Sequence, residues 1–349
     1  MTVNEKIAKI REMMQANGID AVIVPSADPH MSEYFSDHWK TRAWLSGFTG
    51  SAGTFVITKS IAGLWTDGRY YVQAEKQLAG SEGVLFKMNE PETPKVYEYL
   101  AKELPENAVV GINGKLFSAS YVQIMKDAFA KKNIQINNQI DYANEIWEGR
   151  PEESATEIYN LGVEYAGKSA AEKISELREK LREKETDAIV VNTLDGIAWL
   201  YNIRANDVAC TPVAIAYAYV SQEDAILFTN TARVNDSVLR VLSENGITMR
   251  PYEDIFEYLE NMKKDLRVLC DQKELNYSLY HTVQNNEHLS VVSADNPIKL
   301  MKALKNEVET KNTYEAYLQD GIAEAEFYAW LFEALENGET ITEYQASEK

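Results

Sequence analysis

Ile7, Ile10, Met13 and Met14 recur at the spacing of one helical face, Gly18 marks a stop, and a short, continuous apolar run fills 21–24. The pattern predicts a helix, a turn and a buried strand. The same order returns: Ile174, Leu177 and Leu181 line a helical face, and Asp187 leads into an apolar run over 188–191. Asp20 and Asp187 stand 167 residues apart, as do Arg11 and Arg178, Asp28 and Asp195, and Tyr34 and Tyr201. Further on, Leu64, Trp65 and Thr66 meet Leu227, Phe228 and Thr229 at a spacing of 163. Loops lose residues more readily than strands, so the pattern reads as an internal repeat of two related α/β lobes.

Between the copies, Trp147, Gly149, Arg150, Pro151, Glu152, Glu153 and Ser154 form a polar, proline-broken stretch of the kind that joins domains. The boundary is placed near residue 160, giving a first lobe over 1–160 and a second over 161–300. Late strands are expected over 268–270 and 289–292, after which Pro297 opens a helical pattern with Leu300, Met301 and Leu304. Over 314–335, apolar residues including Tyr317, Leu318, Ile322, Phe327, Trp330 and Leu331 cover a wide face of one long helix, which needs a surface to pack on. Thr340 and Glu343 have capping-box spacing just after Gly338. A helix begun there is shorter than the ~12 residues that stand without tertiary support. Residues 301–349 are therefore read as the start of a third domain, cut short.

A chain of 349 residues exceeds what one hydrophobic core usually serves, and 45% hydrophobic with 26% charged residues places it among folded globular proteins. Lys and Arg number 35 against 54 Asp and Glu, a net charge of -19 that repels nucleic acid and anionic membrane. Cys210 and Cys270 are too few and too far apart for a disulfide scaffold. The N-terminus is charged at short intervals and has no apolar run of signal-peptide or membrane-span length, so a cytoplasmic protein is expected.

Candidate chemistry is sparse. Gly47, Gly50 and Gly53 match neither the P-loop nor the dinucleotide fingerprint, and no Lys follows, so they read as a tight loop. Asp67, Gly68 and Arg69 suggest a hairpin turn after a strand over 61–65, with the arginine at a strand end. Such a guanidinium either pairs with a local carboxylate or gives two parallel hydrogen bonds to a substrate carboxylate or carbonyl. Asp28, His30, Glu33, Asp37 and His38 are metal-binding types, but Pro29 interrupts them and no two share a helical face. An acidic loop is the preferred reading there. His281 and His288 read as solvated, no G-x-S-x-G elbow appears, and neither cysteine has a marked histidine partner. Glu307, Glu309, Glu315, Asp320, Glu324 and Glu326 read as the solvated side of the long helix.

Several stretches together resemble the three-domain form of Xaa-Pro aminopeptidase, in the creatinase and prolidase superfamily. They are GIDAVIVPSADPHMSEY (18–34), WLSGFTGSAGT (44–54), LWTDGRYYVQAEKQL (64–78), LDGIAWLYNIRANDV (194–208), MKALKNEVE (301–309) and DGIAEAEFYAWL (320–331). The resemblance implies two tandem creatinase-type lobes, each a mixed sheet with helices, and then the first helices of a pita-bread catalytic domain. In the family that domain holds two divalent metals, commonly manganese, on two Asp, one His and two Glu, and hydrolyses the bond before a proline in second position. Those ligands are expected downstream of residue 349, so this chain is expected to hold no metal and to be inactive alone. The full-length form is expected to be a homodimer acting on proline-containing peptides. The W-T-D-G-R-Y motif maps a peptide contact onto Arg69, with Arg42 as the second choice. Ala205, Asn206 and Thr211 depart from the family's pattern, which puts second-lobe contacts in doubt. The alternative is a non-catalytic peptide- or protein-binding module built on the same lobes.

Overall fold

The computed structural model describes residues 1–349. Thr2 starts helix α1 (Val3–Ala16), its side chain accepting from the amide of Glu5 in a capping box. The first lobe continues with β1 (Ala21–Pro25), α2 (Thr41–Ser46), β2 (Thr54–Thr58), β3 (Ala62–Thr66), α3 (Tyr71–Leu78), β4 (Gly83–Lys87), α4 (Val96–Glu103), β5 (Val109–Ile112), α5 (Ala119–Phe129), β6 (Gln135–Asn137) and α6 (Tyr142–Ile146). The second comprises α7 (Val163–Ala166), α8 (Ala170–Glu183), β7 (Ala188–Val191), α9 (Leu194–Leu200), β8 (Ala216–Ser221), β9 (Ala225–Thr229), α10 (Asp236–Glu244), β10 (Thr248–Arg250), α11 (Asp254–Glu260), β11 (Leu266–Cys270), α12 (Tyr277–Asn285), β12 (Leu289–Ser293) and α13 (Pro297–Ala303). A long helix α14 (Glu307–Glu336) and a short α15 (Glu343–Glu348) end the chain. No helix is long and apolar enough to cross a membrane.

Each lobe has one six-stranded mixed sheet, ordered β4-β3-β2-β1-β5-β6 in the first and β10-β9-β8-β7-β11-β12 in the second. The central strands pair antiparallel, Ile23 opposite Val56 and Val190 opposite Tyr219, while the outer pairs on both flanks run parallel. Both sheet faces carry apolar clusters beneath helices, which explains why β1 and β7 read as unbroken apolar runs rather than alternations.

Three of the spaced pairs do matching work. Asp20 and Asp187 each accept from the backbone N–H of the neighbouring parallel strand, at Val109 and Arg267, 2.8 and 2.7 Å. Arg11 and Arg178 donate through Nε to the carbonyls of Thr58 and Ser221 at 2.9 and 2.8 Å. The Thr66 and Thr229 hydroxyls tie β3 and β9 to Ala52 and Ile215. Beyond the first strand the expected register fails. Trp44 and Trp199, both on the short helix after that strand, are 155 residues apart, so the first lobe carries about 12 extra residues there. Tyr34 and Tyr201 are therefore no counterparts: Tyr34 is exposed on the insertion and Tyr201 lies in the second core.

Those extra residues help join the lobes. His30 is 2% exposed, with Nδ1 2.8 Å from the Asn192 carbonyl and Nε2 2.8 Å from the Tyr252 hydroxyl. A carbonyl only accepts, so Nδ1 carries the proton and Nε2 accepts from the phenol. Asn276 donates to the Pro29 carbonyl at 2.8 Å while its Oδ1 caps α12. Backbone bonds link 117–120 with 272–277, and Tyr277 packs into the first lobe's core.

Further expectations need correction. The turn at Asp67 joins β3 to α3 and not to a hairpin, because β3 and β4 pair in parallel and need a crossover. The last capping box is Thr342 with Gln345. His281 is half-buried, stacked on Tyr277, and Glu309 is bound to the second lobe rather than solvated.

Candidate functional site

Arg69 stands in the turn between β3 and α3, held by the Tyr70 N–H to Asp67 carbonyl bond of 3.0 Å. Its side chain is 68% exposed and pairs bidentately with Asp67, Nε to Oδ1 and Nη2 to Oδ2, both 2.9 Å. These hydrogen bonds hold the Asp67 carboxyl below the usual carboxylate range and raise the guanidinium pKa. The cation also lies 5.1 Å from the Tyr70 ring centroid, and Tyr70 bonds the Ser51 hydroxyl at 2.6 Å. Asp67 thus presents the guanidinium in a fixed fork while leaving it open to solvent. One Nη remains without a protein partner, and a ligand oxygen could add to the pair without displacing Asp67.

Arg42 is placed differently. It is buried on α2, donates Nε to Ser26 Oγ at 2.9 Å, and gives Nη1 and Nη2 to the carbonyls of Phe48 and Gly50. Burial pulls its pKa down to about 10. All three nitrogens have acceptors within the chain, and they fold the glycine loop around the cation. Gly50 has no room for a side chain, since a Cβ there would lie 2.2 Å from Phe48.

The loop, the insertion and the second lobe enclose a cleft of about 450 Å³. Tyr34 and Phe35 line it from the insertion, Arg42 from α2, Ser51 from the glycine loop, and Val208 and Ala209 from the second lobe. Arg69 stands beside this cleft through the Tyr70 contact to Ser51. The second-lobe wall is anchored by Asp207, which is buried and ion-paired with Arg233. Asp207 also accepts from the Ile215 amide at 2.7 Å, and from the Thr156 amide and hydroxyl at 2.9 and 2.8 Å.

No group of three or more His, Cys, Asp or Glu side chains converges in a metal-binding arrangement. Asp28 caps its own turn through the amides of His30 and Ser32, His38 faces the Pro151 carbonyl, and Asp37 pairs with Lys40. The donor set present does not fit a dinuclear metal centre. What the geometry offers is a walled cleft with a solvent-facing guanidinium beside it, one Nη of which is free. Sequence reasoning singled out both arginines but missed Tyr34, Phe35, Val208 and Ala209; the break in repeat spacing ahead of Trp44 was the available signal for the first two.

Residues 6–150 and 149–309 each match the creatinase/prolidase N-terminal domain. The chain belongs to the creatinase/prolidase family. It is 37% identical to a probable Xaa-Pro aminopeptidase P of Laccaria bicolor, aligned over 100% of this chain and 55% of the relative. It is 36% identical to Xaa-Pro aminopeptidase 1 of Dictyostelium discoideum, over 100% of this chain and 57% of that one. Among solved structures, X-prolyl aminopeptidase from Caenorhabditis elegans, described as a cytosolic enzyme with a di-nuclear active site, superposes with a TM-score of 0.92 at 28% identity. That match covers 100% of this chain and 59% of the other. The creatinase-type chain thus spans little more than half the length of these relatives. The aminopeptidase likeness runs through both lobes and α14, which does not favour a stand-alone binding module.

Proposed function

We propose that this chain forms the N-terminal part of an Xaa-Pro aminopeptidase, an enzyme that releases the first residue of peptides with proline in second position. The observation that carries the reading is the superposition of the entire chain, both lobes and α14 together, on the X-prolyl aminopeptidase at a TM-score of 0.92. In this reading residues 1–160 and 161–300 are the two non-catalytic lobes, and 301–349 begin the catalytic domain. The exposed Tyr317, Leu318 and Ile322 on α14 are a face for the remainder of that domain to cover. The two metal ions, taken to be manganese, would be held outside this chain's residues.

The lobes act as a wall that admits short or unstructured N-termini. Hydrogen bonds, backbone pairing and Tyr277 lock them into one body, so the wall is rigid. Arg69 contacts the peptide, its open Nη reaching a backbone carbonyl or the terminal carboxylate of a short substrate. Arg42 serves from beneath, shaping the glycine loop. The working protein is a cytoplasmic homodimer. The test is release of the first residue from Xaa-Pro peptides of increasing length by the protein from the complete reading frame with manganese. Turnover that falls with peptide length supports the reading; no turnover by folded, metal-loaded protein overturns it.

A further inference from the structure

One feature is built twice in this chain. On α1, Lys6 donates to the Trp44 carbonyl at 2.6 Å and its ammonium lies 4.4 Å from the Trp44 ring centroid. On α8, Lys173 donates to the Trp199 carbonyl at 2.9 Å and lies 4.3 Å from that ring. Lys173 is 1% exposed. Each tryptophan is followed three residues later by a residue at positive φ, Gly47 and Asn202, which closes the short helix. Asn202 adds an acceptor for Lys173 at 2.7 Å. The lysine fixes both the backbone and the ring of each tryptophan, leaving another part of the indole free to hold something else.

What each indole holds is the segment that leaves its lobe. Trp44 stacks on Trp147, centroids 4.8 Å apart and planes 11° off parallel, where the chain passes from the first lobe to the second. Trp199 donates Nε1–H to Glu309 Oε1 at 3.1 Å, where the chain enters α14. The other carboxylate oxygen of Glu309 accepts from the Asn306 amide at 3.0 Å in the capping box that starts the helix. Asn306 and Asn312 donate to the carbonyls of Ala166 and Glu164 on α7 at 2.9 and 3.0 Å. The approach is close enough that a Cβ on Gly167 would lie 2.2 Å from Asn306 Oδ1. The Glu309 charge is also the foremost electrostatic influence favouring the protonated form of the buried Lys173.

We propose that Lys173, Trp199 and Glu309 form a latch that fixes the direction of α14 against the second lobe, with Trp199 and Glu309 as its positioning residues. The latch belongs to this chain whatever α14 leads into. Its consequence for catalysis, setting how the wall stands over the catalytic part, rests on the proposed function.

Hydrogen–deuterium exchange on the 349-residue chain tests the latch without any activity readout. Trp199→Phe keeps an aromatic ring beside Lys173 and removes the indole N–H together with the rest of the pyrrole ring. Glu309→Ala removes the acceptor, and Glu309→Gln restores a neutral one. Trp199→Phe and Glu309→Ala should each speed exchange of amides 309–313 by roughly tenfold to a hundredfold, the span of a hydrogen bond to a charged group. Amides of β7 and β8 should keep their wild-type rates. Glu309→Gln should speed exchange by only about threefold to tenfold, since a neutral bond of similar geometry keeps about half the strength of the charged one. Trp44→Phe, in the other lobe, should leave 309–313 unchanged. Unchanged exchange at 309–313 in Trp199→Phe or Glu309→Ala would overturn the latch. So would acceleration of β7 and β8 by the same factor, which would make Trp199 a core residue and nothing more.

Discussion

Replacing His30 by Gln isolates the protonation chemistry of the seam between the lobes. The imidazole is buried, donates from Nδ1 to the Asn192 carbonyl and accepts at Nε2 from Tyr252. Burial is the largest influence and lowers its pKa below the ordinary 6.5. Asp28 and Glu153 favour the charged ring and Lys115 opposes it, but they do not outweigh burial. The unfolded chain takes up a proton as pH falls through about 6.5, whereas the folded chain resists it. Stability from neutral His30 is therefore complete above that pH and is lost as pH falls toward the lower folded value. A proton bound more readily by the unfolded state than by the folded one costs at most about 1.4 kcal/mol at pH 5.5 relative to pH 7.5, the limit set by the unfolded imidazole. Gln can donate to Asn192 and accept from Tyr252 without titrating. Urea unfolding of wild type and His30→Gln at both pH values, read by tryptophan fluorescence, should show wild type losing more stability than the variant on acidification, by up to about 1.4 kcal/mol. Equal losses would refute the assignment of a neutral, buried His30 at the seam.

Asp207→Asn should destabilise the second lobe by about 3–5 kcal/mol, because Arg233 is left buried without its counter-charge; chemical denaturation measures this, and a loss under about 1 kcal/mol would show that the pair is solvated. Asn276→Ala removes the α12 cap and the donor to Pro29, and should cost about 2–4 kcal/mol from those two effects, read by the same titration. Exchange at the seam amides 117–120 should rise with it. Arg69→Ala should leave the melting temperature of this chain unchanged, since the side chain is exposed. In the full-length protein it should raise KM for Xaa-Pro peptides, and an unaltered kinetic profile would remove Arg69 from the peptide site. Gly167→Ala should push Asn306 away and loosen α14 as Trp199→Phe does, measured by exchange at 309–313.

The repeat was legible wherever the chain kept its register. Asp20 and Asp187, and Arg11 and Arg178, could be paired from spacing alone because each bonds strand backbone that cannot shift without breaking the sheet. Lys6 and Lys173 also lie 167 residues apart, yet their role stayed hidden. Their partners Trp44 and Trp199 lie beyond the insertion, where the spacing has dropped to 155. The insertion that broke the pattern supplies His30 to the seam and Tyr34 and Phe35 to the cleft. Spacing that fails between repeats therefore marked the part of the first lobe where it does something the second does not. Glu309 was misread because helical periodicity separates apolar from polar faces but cannot distinguish a solvated carboxylate from one bound by a neighbouring indole. Arg42 and Arg69 were equally visible as arginines; only the carbonyls of Phe48 and Gly50 show that one is enclosed and the other open.

Kinetics of the protein translated from the complete reading frame test the central claim most directly. Loaded with manganese and given Xaa-Pro tripeptides beside a folded substrate with the same N-terminal residues, it should release the first residue from the short peptides and spare the folded one. Failure to cleave either, by protein that is folded and metal-loaded, would contradict the account, and equal rates on both would remove the wall from it.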